Sequence, residues 1–447
     1  MTMGKASSWA LVAALAGFLF GFDTAVISGA EQAVQRVWQM SDTVHGLAIS
    51  AALWGTVVGA LLGGWPADRF GRKKTLVWIG VLYAVSAIGS ALAWDPASFM
   101  FFRLVGGIGV GASSVAAPAY IAEIAPRESR GRLVALFQFM IVFGILVAFA
   151  SNWLIGGMGE DSWRWMLGAE TLPALAYLLA TFGIPESPRW LCVNRGETEK
   201  ARAILASINP DTVDETLAAI RAEAAEDARS MAWSRFFDGH LRRPILLALL
   251  IAFFNQLSGI NAIIYYAPRI FEMSGAAAST ALLATVGIGT VNLVFTFVGL
   301  ALIDRAGRKP LMYLGSVGYI ISLSMTAYGF ASGQFALVLP FIFAFIAAHA
   351  VGQGAVIWVY ISEIFPSAAR AKGQSLGAGT HWVFAAALTL VMPAVLASVS
   401  PVTIFLFFAG MMVLQLAWVR ISMIETRGKS LEDVAAELAN PNRSASE

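Results

Sequence analysis

The sequence predicts an all-α integral membrane protein of twelve transmembrane helices in two pseudo-symmetric halves of six. Three observations predict it. Apolar stretches near twenty residues, the length that crosses a hydrocarbon core, recur twelve times along the 447 residues. Hydrophobic residues make up 58% of the chain and charged ones 13%, against roughly 45–50% and about 25% in soluble domains. A charged tag also repeats. Gly63-Gly64-Trp65-Pro66-Ala67-Asp68-Arg69-Phe70-Gly71-Arg72-Lys73 returns 236 positions on as Gly299-Leu300-Ala301-Leu302-Ile303-Asp304-Arg305-Ala306-Gly307-Arg308-Lys309. Tyr120-Ile121-Ala122-Glu123, with Pro126 and Arg130, returns 240 positions on as Tyr360-Ile361-Ser362-Glu363, with Pro366 and Arg370. Such an offset is far longer than the tens of residues of a solenoid repeat. Two parallel halves are one of the known plans for a secondary transporter.

In chain order the expected spans are 9–29, 45–67, 75–94, 97–121, 132–156 and 164–184, then 245–270, 278–302, 310–330, 335–361, 374–397 and 401–423. The first resembles a secretory signal, with Lys5 ahead of an apolar run from Trp9. The run continues to about Gly29, and no small-residue cleavage site closes a shorter one, so it reads as a membrane span. The six-helix halves are then 1–184 and 245–424. Between them, 185–244 holds a large share of the charge and two helical signals: Glu197 to Ile208 after Gly196, and the capping box Thr212-Val213-Asp214-Glu215 opening a helix to about Arg229. It reads as a cytoplasmic helical linker, either a solvated tether or helices docked beneath the membrane domain. Residues 425–447 form a cytoplasmic tail.

Orientation follows from Lys and Arg in the short loops. One side holds Lys5, Arg69, Arg72, Lys73, Lys74, Arg127, Arg130, Arg132, Arg305, Arg308, Lys309, Arg370 and Lys372; the other holds Arg36, Arg164 and Arg269. That puts both termini in the cytoplasm. The 42 glycines suit close helix packing. A net charge of +2 leaves no nucleic-acid footprint, and the single cysteine, Cys192, excludes an internal disulfide. No cysteine or histidine cluster indicates a metal, and no nucleophile or phosphate loop indicates an enzyme.

Asp23 lies inside the first apolar span, where a carboxylate costs roughly 2.5–3.5 kcal/mol to insert. Arg103 reads as the only other charged residue well inside an expected span. Both lie about six residues, or about 9 Å, below the outer surface, so an ion pair is expected. A carboxylate in a desolvated but accessible site can titrate and an arginine cannot, which makes Asp23 the candidate proton carrier; a structural buried pair is the alternative. Asp68, Arg69, Arg72, Glu123, Arg130 and Glu186 in the first half, and Asp304, Arg305, Arg308, Glu363, Arg370 and Glu425 in the second, are candidates for a cytoplasmic latch whose ion pairs open when the halves rock. Asn255-Gln256-Leu257-Ser258-Gly259-Ile260-Asn261, followed by Tyr265-Tyr266, places three amides within seven membrane residues. Amides offer paired donors and acceptors, which suit a neutral polyhydroxylated ligand. Gln138, Asn292, Gln353 and His381 add polar groups in other spans. Trp358 and Trp382 offer flat faces for a sugar ring. His349 reads as a satisfied structural histidine.

Taken together, these residues resemble the sugar porter family of the major facilitator superfamily along essentially the whole chain. The matching motifs are Gly21-Phe22-Asp23-Thr24-Ala25-Val26-Ile27-Ser28-Gly29, the duplicated tags, Arg103-Leu104-Val105-Gly106-Gly107, Pro185-Glu186-Ser187-Pro188-Arg189-Trp190, Gln256-Leu257-Ser258-Gly259-Ile260-Asn261 and Glu425-Thr426-Arg427-Gly428-Lys429. The resemblance implies the major facilitator fold and import of a monosaccharide by alternating access. Asp23 and Arg103 are similar to the pair of proton-coupled bacterial and plant symporters, whereas passive animal facilitators carry a neutral residue at the aspartate place. It also implies sugar contacts for Gln138, Gln256, Asn261, Asn292 and Trp358, to which Asn255, Tyr265, His381 and Trp382 are added as neighbours in the site.

Five departures from the family pattern stand out. Asn255 stands where many members have glutamine, and Ile145 where xylose-type symporters have a binding glutamine. His381 replaces glutamine or asparagine, as in fructose-handling members. Gly352-Gln353-Gly354-Ala355 lacks the usual proline, and Ile424 replaces another. The expected activity is therefore proton-coupled import of a hexose, functional as a monomer in the plasma (inner) membrane, with the proton as coupling ion and no cofactor. A passive facilitator and a sugar-sensing receptor are the alternatives.

Overall fold

A computed structural model describes residues 4–126, 128–227 and 231–439. Among them are helices and turns and no strand. Among the described residues, twelve helices are long and apolar enough to cross a membrane. The first six are Lys5–Val37, Asp42–Leu62, Arg72–Ala91, Pro96–Ile124, Arg130–Ile155 and Ser162–Phe182. The second six are Arg242–Met273, Ala278–Ala306, Arg308–Ala331, Phe335–Glu363, Ser367–Ser398 and Pro401–Ile421. Several overrun their expected limits; the first extends from Lys5 to Val37 rather than 9–29. Apolarity marks the hydrocarbon crossing, while the backbone ladder continues into the headgroup layer. The second expected span, 45–67, is two helices, Asp42–Leu62 and Gly64–Phe70.

The helix starts have local causes. Asp95 accepts from the Ser98 N–H at 2.7 Å in a reciprocal capping box, with Pro96 at the first helical position. Ser400 caps the twelfth span with Pro401 behind it. Gly71 and Gly307 have φ of +105° and +98° with extended ψ, a region only glycine occupies readily. Each ends one helix and lets the next begin immediately. A side chain there would also meet the carboxylate of Glu186 or Glu425. The glycine of each repeated tag is thus fixed by backbone geometry and by an acidic neighbour.

The chain divides into two compact units, 1–40 with 47–229 and 41–46 with 230–447. Residues 185–244 are therefore split between them. In the first unit, helices Pro188–Asn194, Thr198–Ile208 and Val213–Asp227 close a small core of Trp190, Leu191, Ala201, Leu205, Val213, Leu217 and Ile220. Trp190 Nε1 donates to the Asp68 carbonyl at 2.7 Å, and Arg189 pairs with Glu223 at 2.6 Å. These helices are docked on the first half and are not a solvated tether. In the second unit Phe236 is buried and stacks on Phe365, with ring centroids 5.7 Å apart. The tail forms the helix Leu431–Ala439, with Val434 and Leu438 buried. Arg127, the expected helix end at Arg229 and positions 440–447 of the tail lie outside the described residues.

Candidate functional site

The first unit holds a buried charge cluster. Arg103 Nη1 donates to Asp23 Oδ1 at 2.5 Å, and Nη2 donates to the Asp23 carbonyl at 3.1 Å. Both residues are 1% exposed. The guanidinium therefore grips a side chain and a backbone oxygen of the first helix at once. Arg103 is not the only other charge inside a span. Glu170 lies six residues inside the expected sixth span, at the break between Ser162–Gly168 and Thr171–Phe182, and is 2% exposed. Its carboxyl is within hydrogen-bond reach of Asp23. Two adjacent anions repel, so a carboxyl pair beside one fixed cation is a place where a proton can bind. With Arg103 they make a buried trio of two carboxyls and one fixed cation. The signal for Glu170 is its position inside an expected span, on a weakly apolar stretch where a charge stands out less than Asp23 does. Gln138 is half-buried on the fifth helix of this unit, and Ile145 is buried two turns further along the same face.

The second unit holds an amide and aromatic cluster. The seventh span breaks between Arg242–Leu257 and Ile260–Met273, with Gly259 left-handed at φ 87°. On an unbroken helix, positions five apart point roughly 140° apart. The break lets Asn261 Nδ2 donate to Gln256 Oε1 at 2.7 Å. Gln256 Nε2 donates to Asn255 Oδ1 at 3.0 Å and lies 3.2 Å from the His381 ring nitrogens. The His381 ring is 5.0 Å from Trp358 and 4.8 Å, edge on, from Trp382. Asn255, Gln256, Asn261, His381, Trp358 and Trp382 thus form one constellation. Trp358 is its accessible member at 39% exposure. Tyr265 is buried beyond the break, and Asn292 is half-buried on the eighth helix.

Gln353 does not belong with these amides. It is fully buried, donating to Gln415 on the twelfth helix and accepting from Tyr319 at 3.4 Å; Gln415 in turn donates to Ser316 at 2.8 Å. His349 is satisfied by Tyr319 at 2.6 Å. The tenth span breaks at Gly352 without a proline, and this amide network pins the break from the ninth and twelfth helices.

The duplicated tags make equivalent ion pairs, each within its own unit. Arg72 meets Glu123 at 3.0 Å and Asp68 at 3.1 Å. Arg308 meets Glu363 at 2.7 Å and Asp304 at 3.3 Å. Glu186 accepts from the Lys73 N–H at 3.0 Å. Glu425 accepts from the N–H groups of Arg308, Lys309, Thr426 and Arg427 at 2.9 to 3.0 Å. A carboxylate on bare N–H groups at a helix start is favourable twice over, by hydrogen bonding and by the helix dipole. Burial works against charge on Glu425, but the four N–H donors outweigh it and hold its carboxyl below the usual range. Arg69, Arg130 and Arg305 are exposed, and Arg370 donates to Ser367 at 3.2 Å.

Residues 9–438 match the family described as sugar (and other) transporter. The glucose transport protein of Synechocystis sp. is 38% identical over 453 residues, covering 95% of this chain and 95% of that one. The D-xylose-proton symporter of Escherichia coli K12 is 37% identical over 413 residues, covering 83% and 82%. Among solved structures, the inward-open xylose transporter XylE from E. coli superposes with a TM-score of 0.85 at 32% identity, covering 96% of this chain and 98% of that one. The proton:xylose symporter XylE bound to 6-bromo-6-deoxy-D-glucose gives 0.79, covering 97% and 98%. These carriers are not enzymes. The chain belongs to the sugar porter family of the major facilitator superfamily and is a membrane sugar transporter.

Proposed function

We propose that the protein imports a monosaccharide, a hexose by preference, together with a proton. The observation that carries this reading is the buried Asp23–Arg103–Glu170 cluster. It is a carboxyl pair with one fixed cation, buried in the first unit, which also buries Glu31 further along the first helix. Loading a proton lowers the negative charge of the pair beside Arg103, and releasing it restores a charge the arginine must compensate. Coupling follows if only the loaded or empty carrier rearranges readily. The driving force is the membrane potential, about 2.3 kcal/mol per charge per 100 mV, plus any pH gradient. The relatives, a glucose transport protein and a D-xylose-proton symporter, support a sugar and a proton.

Sugar binding is assigned to Gln138, Asn255, Gln256, Asn261, Tyr265, Asn292, Trp358, His381 and Trp382, with Trp358 covering the ring. Ile145, standing where xylose-type symporters have a binding glutamine, and His381, as in fructose-handling members, favour a hexose over a pentose. Both termini face the cytoplasm of a plasma (inner) membrane, and a monomer suffices. A passive facilitator is the second reading, and Asp23 disfavours it.

Uptake of radiolabelled sugar into proteoliposomes, with and without an imposed proton gradient, tests the proposal. Accumulation above equilibrium only with the gradient is expected. Asp23→Asn removes accumulation but leaves sugar exchange largely intact. Gradient-driven accumulation by Asp23→Asn at the wild-type level overturns the coupling.

A further inference from the structure

Hydroxyl side chains inside membrane helices usually bond back to their own backbone, one turn earlier. Thr56, Thr75, Ser113, Ser316, Ser322 and Thr326 all do so here, at 2.7 to 2.9 Å. Ser86 and Ser90 on the third helix do not. Each is 1% exposed, and neither hydroxyl has a hydrogen-bond partner among the described residues. Burying a polar group unpaired is costly, so two such groups one turn apart need an account. With Tyr83 they lie within about 60° of each other around the helix, at 100° per residue. Tyr83 itself is engaged with Ser113 at 3.2 Å.

That face is turned to the carboxyl pair. A Cβ added at Gly106 would strike Ser86 Oγ and lie 3.5 Å from Asp23 Oδ1. Ser86 and Asp23 therefore border one small space, which exists because residue 106 is glycine. One carboxyl oxygen of Glu170, Oε1, is likewise buried and unpaired among the described residues. At the other end Ser90 lies one residue from the helix terminus at Ala91. There the half-exposed Arg164 donates to the Ala91 and Ala93 carbonyls at 2.7 and 2.8 Å and pairs with Asp161 at 3.6 Å. In the orientation proposed above, this is the outer surface.

We propose that Ser90 and Ser86 form a proton lead inside the first half, running from the outer end of the third helix to the Asp23–Glu170 pair. It rests on the reading of Asp23 as the proton carrier. Cβ atoms one turn apart are about 5–6 Å from each other, so a single water can bridge the two hydroxyls. A hydronium at the outer end gives its proton to the Ser90 oxygen while Ser90 passes its own hydroxyl proton inward. Ser86 repeats the exchange, and the Asp23 carboxylate takes the last proton. Only O–H bonds form and break. The proton thereby reaches Asp23 without passing along the sugar cavity.

A lead sets the rate of protonation and not its equilibrium, and the test uses that difference. Ser86→Ala/Ser90→Ala is compared with wild type and Asp23→Asn in proteoliposomes carrying an internal pH dye, with glucose and xylose as probes. Expected for the double variant are initial rates of proton-driven uptake and of sugar-induced proton entry lowered about tenfold. The final accumulation ratio and the sugar counterflow rate stay as in wild type, and Ser86→Thr, which keeps a hydroxyl, transports normally. Wild-type proton-driven rates in the folded double variant overturn the lead and leave the role of Asp23 standing. Counterflow slowed as much as proton-driven uptake also overturns it, because the serines are then packing groups. Full accumulation by Asp23→Asn removes the coupling and the lead together.

Discussion

Gln256 concentrates the second-half chemistry in a single side chain. Its oxygen receives Asn261, and its nitrogen serves Asn255 and borders His381. A ligand hydroxyl entering this cluster replaces bonds the amides already make to each other, so the cluster is pre-organised and pays little to reorder. Removing the amide leaves a sugar hydroxyl and two protein amides unpaired, a loss of about 1–3 kcal/mol. Gln256→Ala is therefore expected to weaken sugar binding by roughly five- to a hundredfold, with protein abundance unchanged, as read by titration calorimetry or radioligand binding. Unchanged affinity for every hexose and pentose tested makes the cluster structural glue. His381 differs in kind from Gln256. Held between two indole rings, it presents an imidazole edge where an amide would offer a longer reach. His381→Gln is expected to change the preference between fructose and glucose, measured by competition, more than it changes proton coupling.

The breaks in the helices carry information that periodicity does not. Gly259 ends one helix and starts another, which turns two amides that should diverge into a bonded pair. Gly307 does the same at the membrane edge, where its extended positive-φ conformation admits the Glu425 carboxylate to the N–H groups of Arg308 and Lys309. Gly307→Ala forces an L residue into that region and sets a methyl against Glu425, and is expected to cost about 1–3 kcal/mol, seen as a lowered melting temperature in detergent. The carboxylate adds a pH dependence. Glu425 is held below its usual range in the folded state, so its contribution is fully present above the unfolded value near 4.3. As pH falls through the lower folded value the contribution is lost. Melting temperature is thus expected to drop below about pH 4 more steeply in wild type than in Glu425→Gln. A parallel drop in both assigns acid lability elsewhere.

The whole molecule was legible where the sequence repeats itself. The two tags, Asp68 to Lys73 and Asp304 to Lys309, announce two halves, and the structure gives them matching pairs, Arg72 with Glu123 and Arg308 with Glu363. Asp23 and Arg103 were legible because charge in an apolar helix is rare. Glu170 was not, because it interrupts a stretch that was read as one uniform span and is in fact a helix break. Gln353 was misplaced for the opposite reason: composition cannot tell an amide that faces a cavity from one that ties helices together. The same limit applies to the latch, where sequence supplies the charges and geometry decides their partners. Each pair is made within its own half at a helix end, so we expect the pairs to brace the cytoplasmic ends of the helices that must close against one another. Neutralising both acids, Glu123→Gln with Glu363→Gln, frees Arg72 and Arg308 and is expected to shift the conformational balance by about 1–3 kcal/mol toward the inward-open state. A cysteine introduced by Gln138→Cys, in a background with Cys192→Ser, reports this by faster labelling from the cytoplasmic side. Equal labelling with and without the two glutamates, in a protein whose melting temperature is unchanged, means the pairs are surface decoration and the halves are held closed by other contacts.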